Sequence, residues 1–119
     1  MAAVLLTANL MVSSRAAGAA EQLGVVLQGA SSPEQAISFC RAQPMSLLLI
    51  DLELPSLDTA ALVGQLRALD QPPQTIVAFG PHVQEAKLAA ARAAGCDHVL
   101  SRGQWHAQIE ELLAQHAVE

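Results

Sequence analysis

The sequence predicts an α/β fold, a five-stranded parallel sheet covered by helices on both faces, and three observations carry that prediction. The stretch Leu47–Ile50 is an unbroken aliphatic run that ends on Asp51, and Pro55 with Ser56 stops it too soon for a helix of ordinary length. A strand buried on both faces reads in this way, because neither side chain parity can be polar. Four more short apolar runs alternate with segments of helical length. Gly, Pro and Ser stand where those helices should start and stop.

Taken in order, Val4 to Thr7 is the first strand and runs into Ala8-Asn9. Ser13 and Ser14 are the expected caps of the first helix, which carries Ala16, Ala17, Ala19, Ala20 and Leu23 before Gly24 ends it. Val25 to Leu27 is the second strand and Gly29 to Ser31 a turn. Ser32-Pro33-Glu34-Gln35 then reads as a capping box with Pro at the first helical position, and Ala36, Ile37, Phe39 and Cys40 face inward. After the central strand, Asp58 or Ser56 caps a third helix with Leu62, Val63, Leu66 and Leu69 at helical spacing. Thr75 to Phe79 is the fourth strand, Val83 to Ala94 the fourth helix, stopped by Gly95, and His98 to Ser101 the fifth strand. The last helix starts near Gly103, with Trp105, Ile109, Leu112, Leu113 and His116 on one stripe. No repeat or linker interrupts this pattern, so residues 1–119 are expected to form one domain.

Composition removes several function classes. Apolar residues make up 52% of the 119 positions and charged residues 14%, which excludes disorder. Six Lys and Arg against a net charge of −5 leave no basic patch to neutralise phosphates, so no nucleic acid partner is expected. No apolar run reaches the ~18 residues of a membrane span, no charged leader precedes Arg15, and Cys40 and Cys96 suggest no disulfide framework. The expected setting is cytoplasmic, with no membrane partner.

In parallel sheets ligands meet the carboxyl ends of the strands, which here are Thr7 to Asn9, Asp51 to Glu53, Ala78 to Pro81 and Ser101 to Gly103. At that edge Ile50-Asp51-Leu52-Glu53-Leu54-Pro55-Ser56-Leu57-Asp58 resembles the Asp-x-x-x-Pro-Gly-x-Asp-Gly segment of response-regulator receiver domains, and Ala94-Gly95-Cys96-Asp97 resembles their Ala-Gly-Ala-Asp turn. The likeness spans nearly the whole chain and implies the (βα)5 receiver, or flavodoxin-like, arrangement. It also implies that Asp51 stands where the family accepts a phosphoryl group from a histidine kinase.

The rest of the family's apparatus departs from the pattern. The acidic pair that holds Mg²⁺ falls on Ala8 and Asn9, which leaves Asp51 as the one nearby carboxylate ligand and Asn9 with an uncharged carbonyl oxygen, so magnesium binding is expected to be weak or absent. The family's hydroxyl residue falls among Ala78, Phe79 and Gly80, none of which has one; its lysine corresponds to Arg102 and its aromatic switch to Val99. These departures imply a pseudo-receiver that works as a phosphorylation-independent protein interaction module and is not an enzyme. Arg102 is expected to fork onto the Asp51 carboxylate and lock the cleft. Glu53 reads as a solvated loop residue.

Two other readings stay open: a working receiver phosphorylated on Asp51, and a small-molecule-binding flavodoxin-like domain. The protein partner is not legible; Trp105 and Val99 are candidate interface residues beside a core-packing role for Trp105, and the alanine-rich fourth helix offers a surface for a homodimer. Cys96 and His98 have i, i+2 spacing but lack a second pair, and His82, His106 and His116 show no ligand spacing, so no metal site is expected.

Overall fold

The computed structural model describes residues 2–117, and the ends of the expected 1–119 domain lie outside them. Its elements follow in strict alternation: β1 (Ala2–Leu6), α1 (Leu10–Leu23), β2 (Val26–Ala30), α2 (Pro33–Ala42), β3 (Leu47–Asp51), α3 (Thr59–Arg67), β4 (Thr75–Gly80), α4 (Glu85–Ala94), β5 (His98–Ser101) and α5 (Arg102–His116). The five strands form one parallel sheet in the order β2-β1-β3-β4-β5. The expected fold class is therefore the observed one.

Strand parity sorts the core into two halves. Val4, Leu6, Leu48, Ile50, Ile76 and Ala78 face α2, α3 and α4. Ala3, Leu5, Leu47, Leu49, Val77 and Phe79 face α1 and α5, where Val12, Ala16, Ala19 and Ala20 meet Trp105, Ile109, Leu112 and Leu113. All five residues of β3 are buried, which is why its sequence carries no alternation. The small side chains of α1 let that helix lie against both the sheet and α5. An ion pair fastens the two helices: Arg15 binds the Glu110 carboxylate and also donates to the His106 carbonyl at 2.8 Å.

Several boundaries differ from the sequence expectation. Asn9, not Ser13 or Ser14, caps α1, its Oδ1 accepting from the amides of Met11 and Val12 at 2.9 and 3.3 Å. Leu10 and Met11 are exposed in the first turn, which hides the helix start from an apolar-period reading. Strand β2 continues through Gly29 to Ala30 instead of turning there. Ser32 caps α2 through its bond from the Gln35 amide, but the Gln35 side chain reaches back to the Ser31 amide, one residue before a standard box. A full capping box, Ser101 with Gln104, starts α5 one residue earlier than expected. Ser56 holds a left-handed φ of 60° at the position where receivers carry Gly, a conformation costly for a residue with a Cβ.

The Gly95-Cys96-Asp97 turn is pinned by one carboxylate. Asp97 Oδ2 accepts from the Ile76 amide at 2.7 Å and from Arg67 Nη2 at 3.1 Å, while Arg67 also donates to the Gly95 carbonyl at 3.0 Å. Burial alone would raise the Asp97 carboxyl, but the Ile76 amide and the Arg67 guanidinium outweigh it and hold the group below the ordinary carboxylate range. A depressed folded-state pKa stabilises the fold at pH above the unfolded value, about 4, and that contribution is lost as pH falls through the folded value. Asp97→Asn is expected to lower stability by about 1 kcal/mol at neutral pH. In urea denaturation series the gap from the parent should shrink as pH drops below about 4; a gap independent of pH contradicts the assignment.

Candidate functional site

The sheet order places a switch point between β1 and β3, from which the chain winds outward in opposite directions, and clefts of open α/β sheets form there beyond the carboxyl ends of the strands. The two strands are in register from Ala3 with Leu47 to Leu6 with Ile50, so the next pair is Thr7 with Asp51. Parity then turns both side chains to the α1 and α5 face, in line with Leu5 and Leu49. Thr7 and Asp51 are buried, at 5% and 4% exposure.

A buried carboxylate must be hydrogen-bonded, and Asp51 is. Its Oδ2 accepts from the Thr7 hydroxyl at 2.6 Å and its Oδ1 from the Glu53 amide at 3.0 Å. The Thr7 Oγ1 in turn accepts from the Asn9 amide at 3.1 Å, so the loops after β1 and β3 are joined through one hydroxyl and one carboxylate. Thr7 was not among the residues singled out from the sequence. The signal that finds it is the shared parity of Ala3-Leu5-Thr7 and Leu47-Leu49-Asp51.

Arg102 does not fork onto Asp51. Its Nη1 donates to both carboxylate oxygens of Glu53, at 3.1 and 3.3 Å, which corrects both the expected lock and the expected solvated role of Glu53. The reason lies in competition: both Asp51 oxygens are already engaged below the surface, while the Glu53 side chain is about two-thirds buried near the cleft mouth and otherwise uncompensated. Asn9 likewise does not offer its carbonyl oxygen to the cleft, because that atom caps α1. Ala8, Asn9, Asp51, Glu53 and Leu54 line a shallow depression of about 230 Å³.

At the end of β4, Ala78 belongs to the α3 and α4 half of the core and Phe79 pairs with Asp51 in register. Gly80 ends the strand, and a Cβ there would meet Leu52 Cβ at 3.3 Å, so a hydroxyl residue could enter only if Leu52 gave way. Beneath the cleft Phe79 stacks on Trp105 with ring centroids 4.4 Å apart. Trp105 has no exposed surface, which excludes it as an interface residue in this fold and assigns it to the core. Its indole Nε1–H meets no acceptor among the described residues, a desolvation cost that the stack and full burial offset. Val99 is half-buried and packs against the α3 and α4 half, so it offers little free surface either.

The donor set at the depression does not fit magnesium, which takes carboxylates, waters and phosphate oxygens in octahedral geometry. Ala8 and Asn9 bring no carboxylate, each Asp51 oxygen already accepts a hydrogen bond from the protein, and Glu53 is neutralised by Arg102. Cys96 and His98 do not act as a pair: Cys96 packs against the α3 and α4 half, whereas His98 lies against α5. Burial pushes both the Cys40 and the Cys96 thiol up to about 11, so neither is a reactive thiolate at neutral pH. Among the described residues no group of three or more His, Cys, Asp or Glu side chains could hold a metal ion.

Two expectations follow from this geometry. Thr7→Val leaves Asp51 Oδ2 buried without a donor and should cost about 1–3 kcal/mol in urea denaturation; a neutral substitution contradicts the hydroxyl's role. A double-mutant cycle with Glu53→Gln and Arg102→Gln should give a coupling of about 0.5–1 kcal/mol. That coupling should fall as salt is raised from low ionic strength, and a coupling of zero contradicts the pair.

No family model and no curated protein sequence matches this chain. Solved structures match its fold. The receiver domain of the sensor histidine kinase PA1611 from Pseudomonas aeruginosa, crystallised with magnesium in its cleft, superposes with a TM-score of 0.81 at 19% identity over 96% of this chain and 94% of that one. The receiver domain of the Saccharomyces cerevisiae response regulator Ssk1, solved with the phosphotransfer protein Ypd1, gives 0.77 at 18% identity over 95% and 86%. The receiver domain of NtrX from Brucella abortus gives 0.78 at 16% identity over 95% and 94%. At these identities the likeness is one of architecture: the chain has the fold of response-regulator receiver domains, with Asp51 at the end of its central strand.

Proposed function

We propose that residues 1–119 form a single receiver-like domain acting as a phosphorylation-independent, non-enzymatic protein interaction module in the cytoplasm. The observation that carries this reading is the state of Asp51, buried with both carboxylate oxygens committed to Thr7 and the Glu53 amide. A phosphoryl acceptor needs a free oxygen in line with the donor and positive charge to meet the transferred group. Here each oxygen already accepts a hydrogen bond within the fold, and the Arg102 cation is paired with Glu53. The reading is further supported by the glycine at the end of β4 and by the lack of a carboxylate pair beside Asp51.

Among the described residues no helix is long and apolar enough to cross a membrane, in keeping with that setting. With Trp105 in the core, the partner surface moves to α4, whose exposed Ala86, Ala89, Ala90 and Ala93 follow the exposed Val83. That surface suits a partner helix or a second copy of the chain, held by close approach and not by charge.

The retained aspartate at the end of β3 favours one second reading, a receiver phosphorylated on Asp51 by a histidine kinase. A third, small-molecule binding, has less support, since the depression above Asp51 is smaller than the ~300–1,000 Å³ usual for organic ligands. Incubation with acetyl phosphate and Mg²⁺, followed by intact mass spectrometry and amide NMR spectra, separates the first two. No covalent adduct and an unchanged spectrum are expected. An adduct on Asp51 with shifts spreading to α4 and β5 establishes the second reading instead.

A further inference from the structure

The fold brings together two histidines that lie eighteen positions apart in the sequence and outside the cleft. His98 opens β5 and shares its parity with Leu100, which packs on the α1 and α5 half of the core, so the His98 ring lies against α5. His116 closes α5 at the edge of its apolar stripe. The two rings stand 5.9 Å apart between centroids, tilted by 41°, over a hollow of about 140 Å³. Glu111 lines the same hollow, its carboxylate held by the Gln115 amide at 3.0 Å, and no Lys or Arg is among the lining residues. Asp97, next to His98 in sequence, is tied to Arg67 and the Ile76 amide and takes no part.

We propose that His98 and His116 form a two-imidazole site for a borderline divalent transition metal ion of the Zn²⁺, Ni²⁺ or Cu²⁺ class, bridging the last strand to the end of the last helix. Imidazole nitrogens select such ions over hard cations, whose preferred donors are oxygens. Two imidazoles sharing a tetrahedral ion at ordinary Zn–N length have centroids about 5 Å apart, so a small rotation of either ring closes the observed spacing. Water fills the remaining positions, and the Glu111 carboxylate on the wall of the same hollow contributes negative charge without ligating. The bound ion clamps β5, an edge strand of only four residues, against α5.

Titration of the intact protein with ZnCl₂ alone, followed by calorimetry and amide NMR, tests this. One saturable equivalent is expected, with shifts centred on His98 and His116, no response to MgCl₂, and tenfold or greater weakening in both His98→Asn and His116→Gln. The exposed position of His98 and the stripe-edge position of His116 leave the core of these variants intact, which their parent-like amide spectra without metal should verify. A variant that misfolds is replaced by His98→Gln or His116→Asn, read in the same way. Absence of saturable Zn²⁺ binding, or parent-like affinity in either folded variant, overturns the proposal.

Discussion

The hydrogen bond from the Thr7 hydroxyl to the Asp51 carboxylate is the constraint on which the cleft depends. A carboxylate taken almost wholly out of water has to be compensated, and in low dielectric that compensation is stronger and its loss costlier than at the surface. Two adjacent parallel strands in fixed register deliver the donor and acceptor to each other without any loop having to search for the geometry. The same hydroxyl accepts from the Asn9 amide, and Asn9 caps α1, so the start of the first helix is coupled to the tip of the central strand. The end of the central strand is thus a hydrogen-bonded joint between two strands and a helix start.

A second closure lies outward of the first. Glu53 gives its amide to Asp51 and its side chain to Arg102, so one residue links the buried carboxylate to the first turn of α5. Arg102 sits directly after the Ser101 cap, and the box with Gln104 fixes its position. One turn into the helix Trp105 lies on Phe79, the residue paired with Asp51 across the sheet. Polar joint, ion pair and aromatic stack thus surround the same strand ends. The ion pair is the weakest of the three, being partly solvated and screened by salt.

Much of this architecture is legible in the sequence, for reasons that mark where legibility ends. The aliphatic run Leu47–Ile50, the Ser32-Pro33 start and the stops at Gly24 and Gly95 are local signals, and each gave its element. The α1 start was obscured because two exposed apolar residues follow its true cap, and β2 ran on through Gly29 because an outer strand tolerates a glycine that also suits a turn. Asp51 was visible from its place at the end of the run. Thr7 carries no such mark, because its role rests on the register of β1 with β3 and not on a local pattern. The Arg102 partner is ambiguous in the sequence for a different reason: charge complementarity names two carboxylates, and only burial decides between them. The meeting of His98 and His116 is a property of the tertiary packing of β5 on α5, to which no local pattern points.

The central claim is that Asp51 is held by the Thr7 hydroxyl, and NMR of the hydroxyl proton tests it most directly. In a buried bond of 2.6 Å that proton should exchange with water slowly enough to give its own resonance, with a cross-peak to Thr7 and sensitivity to Asp51→Ala. A resonance with these properties supports the closed joint. A Thr7 hydroxyl averaged with water at low temperature, unchanged by Asp51→Ala, contradicts it and returns Asp51 to the open state that phosphoryl acceptance requires.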